Sequence, residues 1–330
     1  MIAEWVQRYV TWFGSTTNVA WFVGFWLFIS FIFALETWVP AFQRQPEPSC
    51  RWPTNFGFGL INWGLMAIAP FSTISAALWA SRTGVGVFNQ VAMPMWASIC
   101  GSLAVYSLAS YLIHFVEHKS PWLWRIHRVH HLDTHLDVST SQRHHPLELI
   151  ANVLILVAVT IVFGLTASLL IVYEMINALM DFFSHANVRL PESLDRIVRW
   201  VLVTPNMHSL HHSSYQPETD SNYGVVFTVW DRLFGTYRAE PAWGYGKLQI
   251  GLKEIRDDRV WNFWWQMKSP ALPINDSIDE IIIGSDTSSI QRLIAGGASP
   301  PTNPPVIDPS IAAGFFGRKD LILPERYRSM

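Results

Sequence analysis

The sequence predicts an all-α membrane protein of about four to five membrane-embedded helices, including a helical hairpin, with a histidine-rich helical cap on one bilayer face. Three observations predict it. Half of the 330 residues are hydrophobic and only 15% are charged, against about 25% in a soluble domain, and mean hydropathy is +0.20. Apolar runs recur at lengths that suit a bilayer. All twelve histidines fall between His114 and His212, flanking those runs.

The first span is Val19 to Leu35, uncharged, with Trp21 and Trp38 placed to sit in the interfacial belts. Glu4 and Arg8 precede it without building a basic n-region, so the run is expected to be a retained anchor. A polar loop, QRQPEPSCRWP, ends near Pro53. The second span runs from Phe56 to Ala80 with a kink expected at Pro70. The third runs from Val91 to Phe115, and its last turn carries His114 and His118. Leu147 to Ser184 fixes the topology. As a helix it would extend about 57 Å, which suits two passes of a ~30 Å core. Histidine groups on both sides of it must meet, so the chain turns back, and Gly164 is the natural turning point. From about Glu240 the composition shifts toward a tail, with the serine- and proline-rich stretch SDTSSIQRLIAGGASPPTNPPVIDPS as linker. The expected regions are 1–90 (membrane spans), 91–240 (histidine domain with the hairpin at 147–184) and 241–330 (tail).

Charge orients the chain. Arg44, Arg51, Lys119, Arg125, Arg128 and Arg143 lie on the histidine side, whereas Arg8 and Arg82 lie opposite. By the positive-inside rule the histidine side is cytoplasmic and the N-terminus outward. Arg125, Arg128 and Arg143 are expected to touch lipid headgroups, and PWLWRIHRVHH to form an interfacial helix. A net charge of −2 without a basic stripe excludes nucleic acid as partner. Cys50 and Cys100 share no ligand spacing and are expected to be unpaired, packed thiols. The fragment RTGVGVF, with Gly84 and Gly86, lacks the remainder of a dinucleotide motif.

The chemistry lies in the histidine spacings. His114 and His118 form HxxxH, His127/His130/His131 form HxxHH, and His208/His211/His212 repeat HxxHH. Residues i and i+4 share a helix face. The adjacent pair in HxxHH diverges by about 100°, so one motif can serve two neighbouring ions. His185 ends the hairpin, with Asp181 one turn earlier. So many imidazoles suit two ions, and a sulfur-free nitrogen shell suits iron, zinc, copper or nickel rather than magnesium or calcium. His135 and His144 are expected to be interfacial or core histidines. One alternative is a dinuclear zinc hydrolase acting on a membrane ester, although catalytic zinc usually takes three protein ligands. Another is a metal transporter or sensor, which predicts ionisable ligands along a path through the spans. Here Glu174 is a rare charge in the hairpin.

The segments HFVEH, HRVHHLDTHLDVSTSQRHHPLE, DFFSHANVRLP, TPNMHSLHHS and NYGVVFTVWDRLFGTY together resemble the fatty acid hydroxylase/sterol desaturase superfamily, and most its bacterial-type sterol desaturase branch. The resemblance covers about Leu103 to Tyr237. It implies a membrane-embedded di-iron enzyme that uses O2 and electrons to hydroxylate or desaturate a lipid C–H bond of the sterol or fatty-acyl class. The ligands it implies are His114, His118, His127, His130, His131, His185, His208, His211 and His212, with His145 as a tenth site residue. Some relatives place a histidine or asparagine where this chain has Asp181, and Asn177 is the alternative. Asp133, Asp137 and Asp231 are candidates for orienting imidazoles. The implied cofactors are two iron ions, with O2 as co-substrate. No fused haem module or cluster-binding cysteine set accompanies the motifs, so an external donor is implied, a b-type cytochrome or a ferredoxin with its reductase.

Overall fold

A computed structural model describes residues 16–42, 48–70 and 72–272. Expectations resting on Glu4, Arg8, Arg44 and the stretch from Ser285 fall outside these residues, as does the side chain of Trp21. The chain divides into two compact units, Met1–Asp276 and Ser277–Met330, and the described residues belong to the first. Among them every regular element is helical, and strand pairing is confined to isolated bridges. The all-α expectation holds.

Helix α1 (Thr16–Trp38) exposes Phe22, Trp26, Leu27 and Phe31, while Ile29 and Ile32 pack near Phe182. Helix α2 (Pro48–Ile68) starts inside the expected loop, with Pro53 still in its early turns. There the proline forgoes the helical bond to Ser49 O that an N–H would make. Its first turns bury Arg51, Thr54 and Asn55, whereas its later turns expose Leu60, Trp63 and Ile68. At Pro70 the structure shows a break rather than the expected kink. Helix α3 (Thr73–Thr83) restarts under a capping box of Ser72 and Ser75 and ends at left-handed Gly84. Helix α4 (Met95–Lys119) returns to the histidine side, and α5 (Pro121–His131) follows at once, Pro121 opening its first turn.

Helices α6 (Pro146–Phe163) and α7 (Ala167–His185) form the expected hairpin. Gly164, at φ +66°, closes α6 and donates its N–H to Thr160. Gly86 abuts it so closely that a Cβ there would meet the Gly164 nitrogen at 2.3 Å. The hairpin tip is thus locked to the α3–α4 connection. Four segments are long and apolar enough to cross a membrane: Ser49–Gln90, α4, α6 and α7. Between 17% and 28% of each is buried within the protein, so the remaining apolar surface requires lipid. Cys50 and Cys100 are unpaired as expected, but exposed rather than packed.

The cap inverts this pattern, with a polar interior. Arg51 donates to Asp133 at 2.9 and 2.8 Å and to Asp137 at 2.6 Å. Despite its burial, Arg51 and Arg143 hold the Asp133 carboxyl well below the usual carboxylate range. Arg143 is fully buried and donates to Val129 O, Asn55 Oδ1 and Val260 O. Arg128 donates to Ser269 O and Leu272 O. Both are internal struts, not headgroup contacts. Burial with few water-accessible carbonyls makes a guanidinium the economical donor, since its five N–H groups satisfy several acceptors at once. Only Arg125 remains at the surface, over the Trp122 ring. Leu252, Ile255 and Val260 pack on Leu132, and Phe263 lies on Phe58, so residues up to 272 close the cap.

Candidate metal centre

Helix geometry carries the rings inward from four elements. Helix α4 ends with His114 and His118, and α5 presents His127, His130 and His131 from its last turns. Helix α7 ends on His185. Helix α8 (Pro205–His211), capped by the Thr204 side chain and opened by Pro205, presents His208, His211 and then His212. The rings sort into two groups. His114, His118, His127, His131 and His211 form one, and His130, His185, His208 and His212 the other. Within each, one nitrogen per ring lies within 4.8 Å of the rest, and either group could hold a metal ion. Each HxxHH motif divides between the two groups, as the 100° divergence of its adjacent pair demands.

Hydrogen bonds fix several tautomers. The Nδ1–H of His114 donates to Tyr223 O, that of His211 to Ser221 O, and that of His185 to Asp181 O, at 2.8–2.9 Å. His127 turns its Nδ1 to Glu148, 3.0 Å away, with Glu117 behind at 3.6 Å. Each of these rings is left with Nε2 facing inward. Burial and neighbouring imidazoles hold His130, His131, His208 and His212 well below the ordinary histidine value, and burial holds His211 down to about 3. For His127, Glu148 and Glu117 overcome burial and raise it. Neutral imidazole is the ligating form.

The residues fit metal ions. Both ring nitrogens of His118 and the Nε2 of His211 are buried without a hydrogen-bond partner, the His118 Nδ1 standing 3.6 Å from Asp220. An unmet buried polar group costs about 1–3 kcal/mol, and a metal ion would take up the one lone pair that each neutral ring offers. In the second group the Nε2 atoms of His130, His185, His208 and His212 approach one another at 3.0–3.1 Å. Neighbouring nitrogens at right angles on an ion about 2.1 Å away would stand about 3 Å apart.

The structure brings together nine of the ten histidines singled out by the motifs. It does not bring in His145, which caps α6 by accepting the Leu147 N–H and reaches Met267 O with its other nitrogen. Its neighbour His144 is nearer, stacked on His130 with centroids 4.2 Å apart and paired with Glu148 at 2.8 Å. Asp181 sits beside His185, its carboxylate 3.2 Å from Nδ1, whereas the Asn177 side chain hydrogen-bonds Glu174. Asp133 and Asp137 engage Arg51 rather than any ligand ring. Asp231 accepts from Tyr223 N, Gly224 N and Thr236 Oγ1, and so holds the loop whose carbonyl meets His114. The motif reading missed Glu148, although its place four residues after His144 in HHPLE was the available signal.

Fold and site define a membrane-embedded helical protein with a buried, all-histidine, two-compartment centre. Residues 99–236 match the fatty acid hydroxylase family, and known lipid hydroxylases and monooxygenases are similar to part of the chain. The ornithine lipid hydroxylase OlsE of Rhizobium tropici is 27% identical over 149 residues, 45% of this chain and 44% of that protein. The alkylglycerol monooxygenase of Caenorhabditis elegans is 29% identical over 132 residues, 39% of this chain and 25% of its own length. The cholesterol 25-hydroxylase-like protein of Danio rerio is 26% identical over 145 residues, 43% and 56% of the respective chains. The chain therefore spans between a quarter and just over half of these relatives. No solved structure matches it.

Proposed function

We propose that the chain is a membrane-bound oxidoreductase that oxidises a lipid C–H bond with O2, using two irons held by the two histidine groups. His114, His118, His127, His131 and His211 would hold one ion, and His130, His185, His208 and His212 the other. The bound pair would supply the O2 activation that oxidation of an unactivated C–H bond requires. The protein's share is positional. The Tyr223, Ser221 and Asp181 carbonyls and the Glu148 carboxylate keep Nε2 of four rings free to ligate. The exposed apolar faces of α6 and α7 keep the hairpin in lipid beside the centre. The buried cap excludes bulk water from the reacting carbon. The names of the relatives favour oxygen insertion into a sterol, ether-lipid or acyl-lipid substrate over desaturation. Electrons come from an external b-type cytochrome or ferredoxin, and the histidine face is cytoplasmic.

The observation that carries this reading is the convergence of nine rings into two adjacent groups. Mössbauer spectroscopy on protein from cells grown with iron-57 tests it. Two coupled irons per chain are expected, with His118→Ala and His208→Ala each depleting iron through a different group. Tightly bound zinc, with no coupled iron pair on reconstitution, would overturn it.

A further inference from the structure

With Arg128 and Arg143 turned inward, other basic groups face outward near the membrane surface on the histidine side. A cavity of about 670 Å3 opens where α1 and α7 leave their apolar stretches. Pro40, just past α1, pairs with Val188, just past α7, in an isolated antiparallel bridge. The cavity therefore lies where the shorter apolar helix α1 and the bilayer-length helix α7 emerge, a position that corresponds to headgroup level. Its lining includes Arg189, Arg256, His135, Gln249 and Tyr245, and none of its described lining residues is acidic.

The two guanidinium groups are held in place without being neutralised. Arg189 is exposed and lies over the Tyr245 ring, 5.1 Å from its centroid. The Tyr245 hydroxyl donates to Asn206 O at 3.2 Å, which anchors that ring. Arg256 donates through Nη1 alone, to Ile250 O at 3.1 Å and Leu252 O at 3.4 Å, so the rest of its planar fork has no acceptor among the described residues. No carboxylate of the described residues pairs with either arginine. His135 uses Nδ1 on Thr134 Oγ1 at 3.0 Å, leaving Nε2 for a ligand. Two preset, unneutralised forks in a half-enclosed site match the oxygens of a phosphate group.

We propose that this cavity is a phosphate-binding site at the membrane surface, in which Arg189 and Arg256 grip a phosphate ester carried by a lipid headgroup. The site is separate from the metal centre, and its occupancy does not depend on the oxygenase reading. The same chemistry would serve free phosphate, so the test separates the two sources. Full-length protein in neutral maltoside micelles is titrated by native mass spectrometry with short-chain phosphatidic acid, the matching diacylglycerol and inorganic phosphate. Phosphatidic acid is expected to bind about tenfold or more tightly than diacylglycerol, and the double variant R189Q/R256Q to erase that preference. Arg196→Gln, an exposed arginine paired with Glu192 elsewhere, controls for the loss of an arginine outside the cavity and keeps it. Inorganic phosphate that binds as tightly and competes would support the site and assign it to the soluble anion. Wild-type protein without preference for the phosphorylated lipid would overturn the proposal, as would an unchanged preference in R189Q/R256Q. If the double variant does not fold, R189Q alone decides, because that exposed side chain bonds to no described residue and lies over the Tyr245 ring.

Discussion

Asn222 is the only described non-glycine residue with positive φ, at 57°. It stands between Ser221 and Tyr223, whose carbonyls take the Nδ1–H of His211 and His114. Its side chain ties the loop down by donating to Met207 O and Arg238 O and accepting the Arg238 N–H. Asn222→Ala loses all three bonds and meets a left-handed penalty of about 1–2 kcal/mol. The expected result is metal affinity roughly 10–100-fold weaker in a chelator competition, with Asn222→Gly recovering only the backbone part. Wild-type affinity in Asn222→Ala would remove the loop from the account of ligand aiming. His144 supplies a pH signature. Burial lowers its basicity, but Glu148, Asp181 and Glu117 outweigh burial and lift it to about 9, above the unfolded value of about 6.5. A raised value stabilises the fold fully below about pH 6.5, and that contribution fades as pH rises through about 9. Metal-free protein should therefore melt lower as pH climbs across that window, and His144→Phe should flatten the slope. The rings of HxxxH and both HxxHH motifs were legible from spacing, because i, i+3 and i+4 leave a helix little freedom, and His185 from its place at the end of the hairpin. Their acceptors were not, because a backbone carbonyl from Ser221 or Tyr223 carries no residue-type signal.

Among the elements, the hairpin was legible by arithmetic. A segment too long for one pass, with histidines at both ends, had to turn, and Gly164 is where it does. The early start of α2 was not legible. Arg51 finds Asp133 and Asp137 more than 80 residues away, and without that pairing PEPSCRWP has the composition of a loop. The break at Pro70 exceeds a kink because Ser72 offers a ready cap for a new helix. The hairpin is held to the rest of the membrane part by Thr166 bonding Ser98 and Ser102, by the Tyr106–Glu174 pair, and at its tip by a close approach of two glycines. At Gly86, φ +99°, an added methyl would collide with Gly164 backbone rather than with a movable side chain. Gly86→Ala should cost roughly 2–6 kcal/mol, the sum of placing a side chain in a glycine-only backbone region and of overpacking. Unfolding titration in detergent reads it. A loss below about 0.5 kcal/mol would mean that the hairpin tip is free to separate from the α3–α4 connection.

For the whole molecule, apolar side chains lie outside the spans and charges lie inside the cap, so a bilayer is needed to complete the fold. The proposed orientation rests on charge. Arg51, Arg128 and Arg143 end up as buried struts, yet the positive-inside bias acts on the chain during insertion, before those partners form. Their burial therefore does not weaken the argument for a cytoplasmic cap. Ala92 and Lys253 are exposed at opposite ends of the structure, one in the α3–α4 connection beside the hairpin tip and the other in the cap. In a background carrying Cys50→Ser and Cys100→Ser, Ala92→Cys should react with a membrane-impermeant maleimide on intact cells. Lys253→Cys should react only after permeabilisation. The reverse pattern would put the histidine centre outside the cell, away from cytosolic reductants, and a cytochrome or ferredoxin donor would then have no access to it.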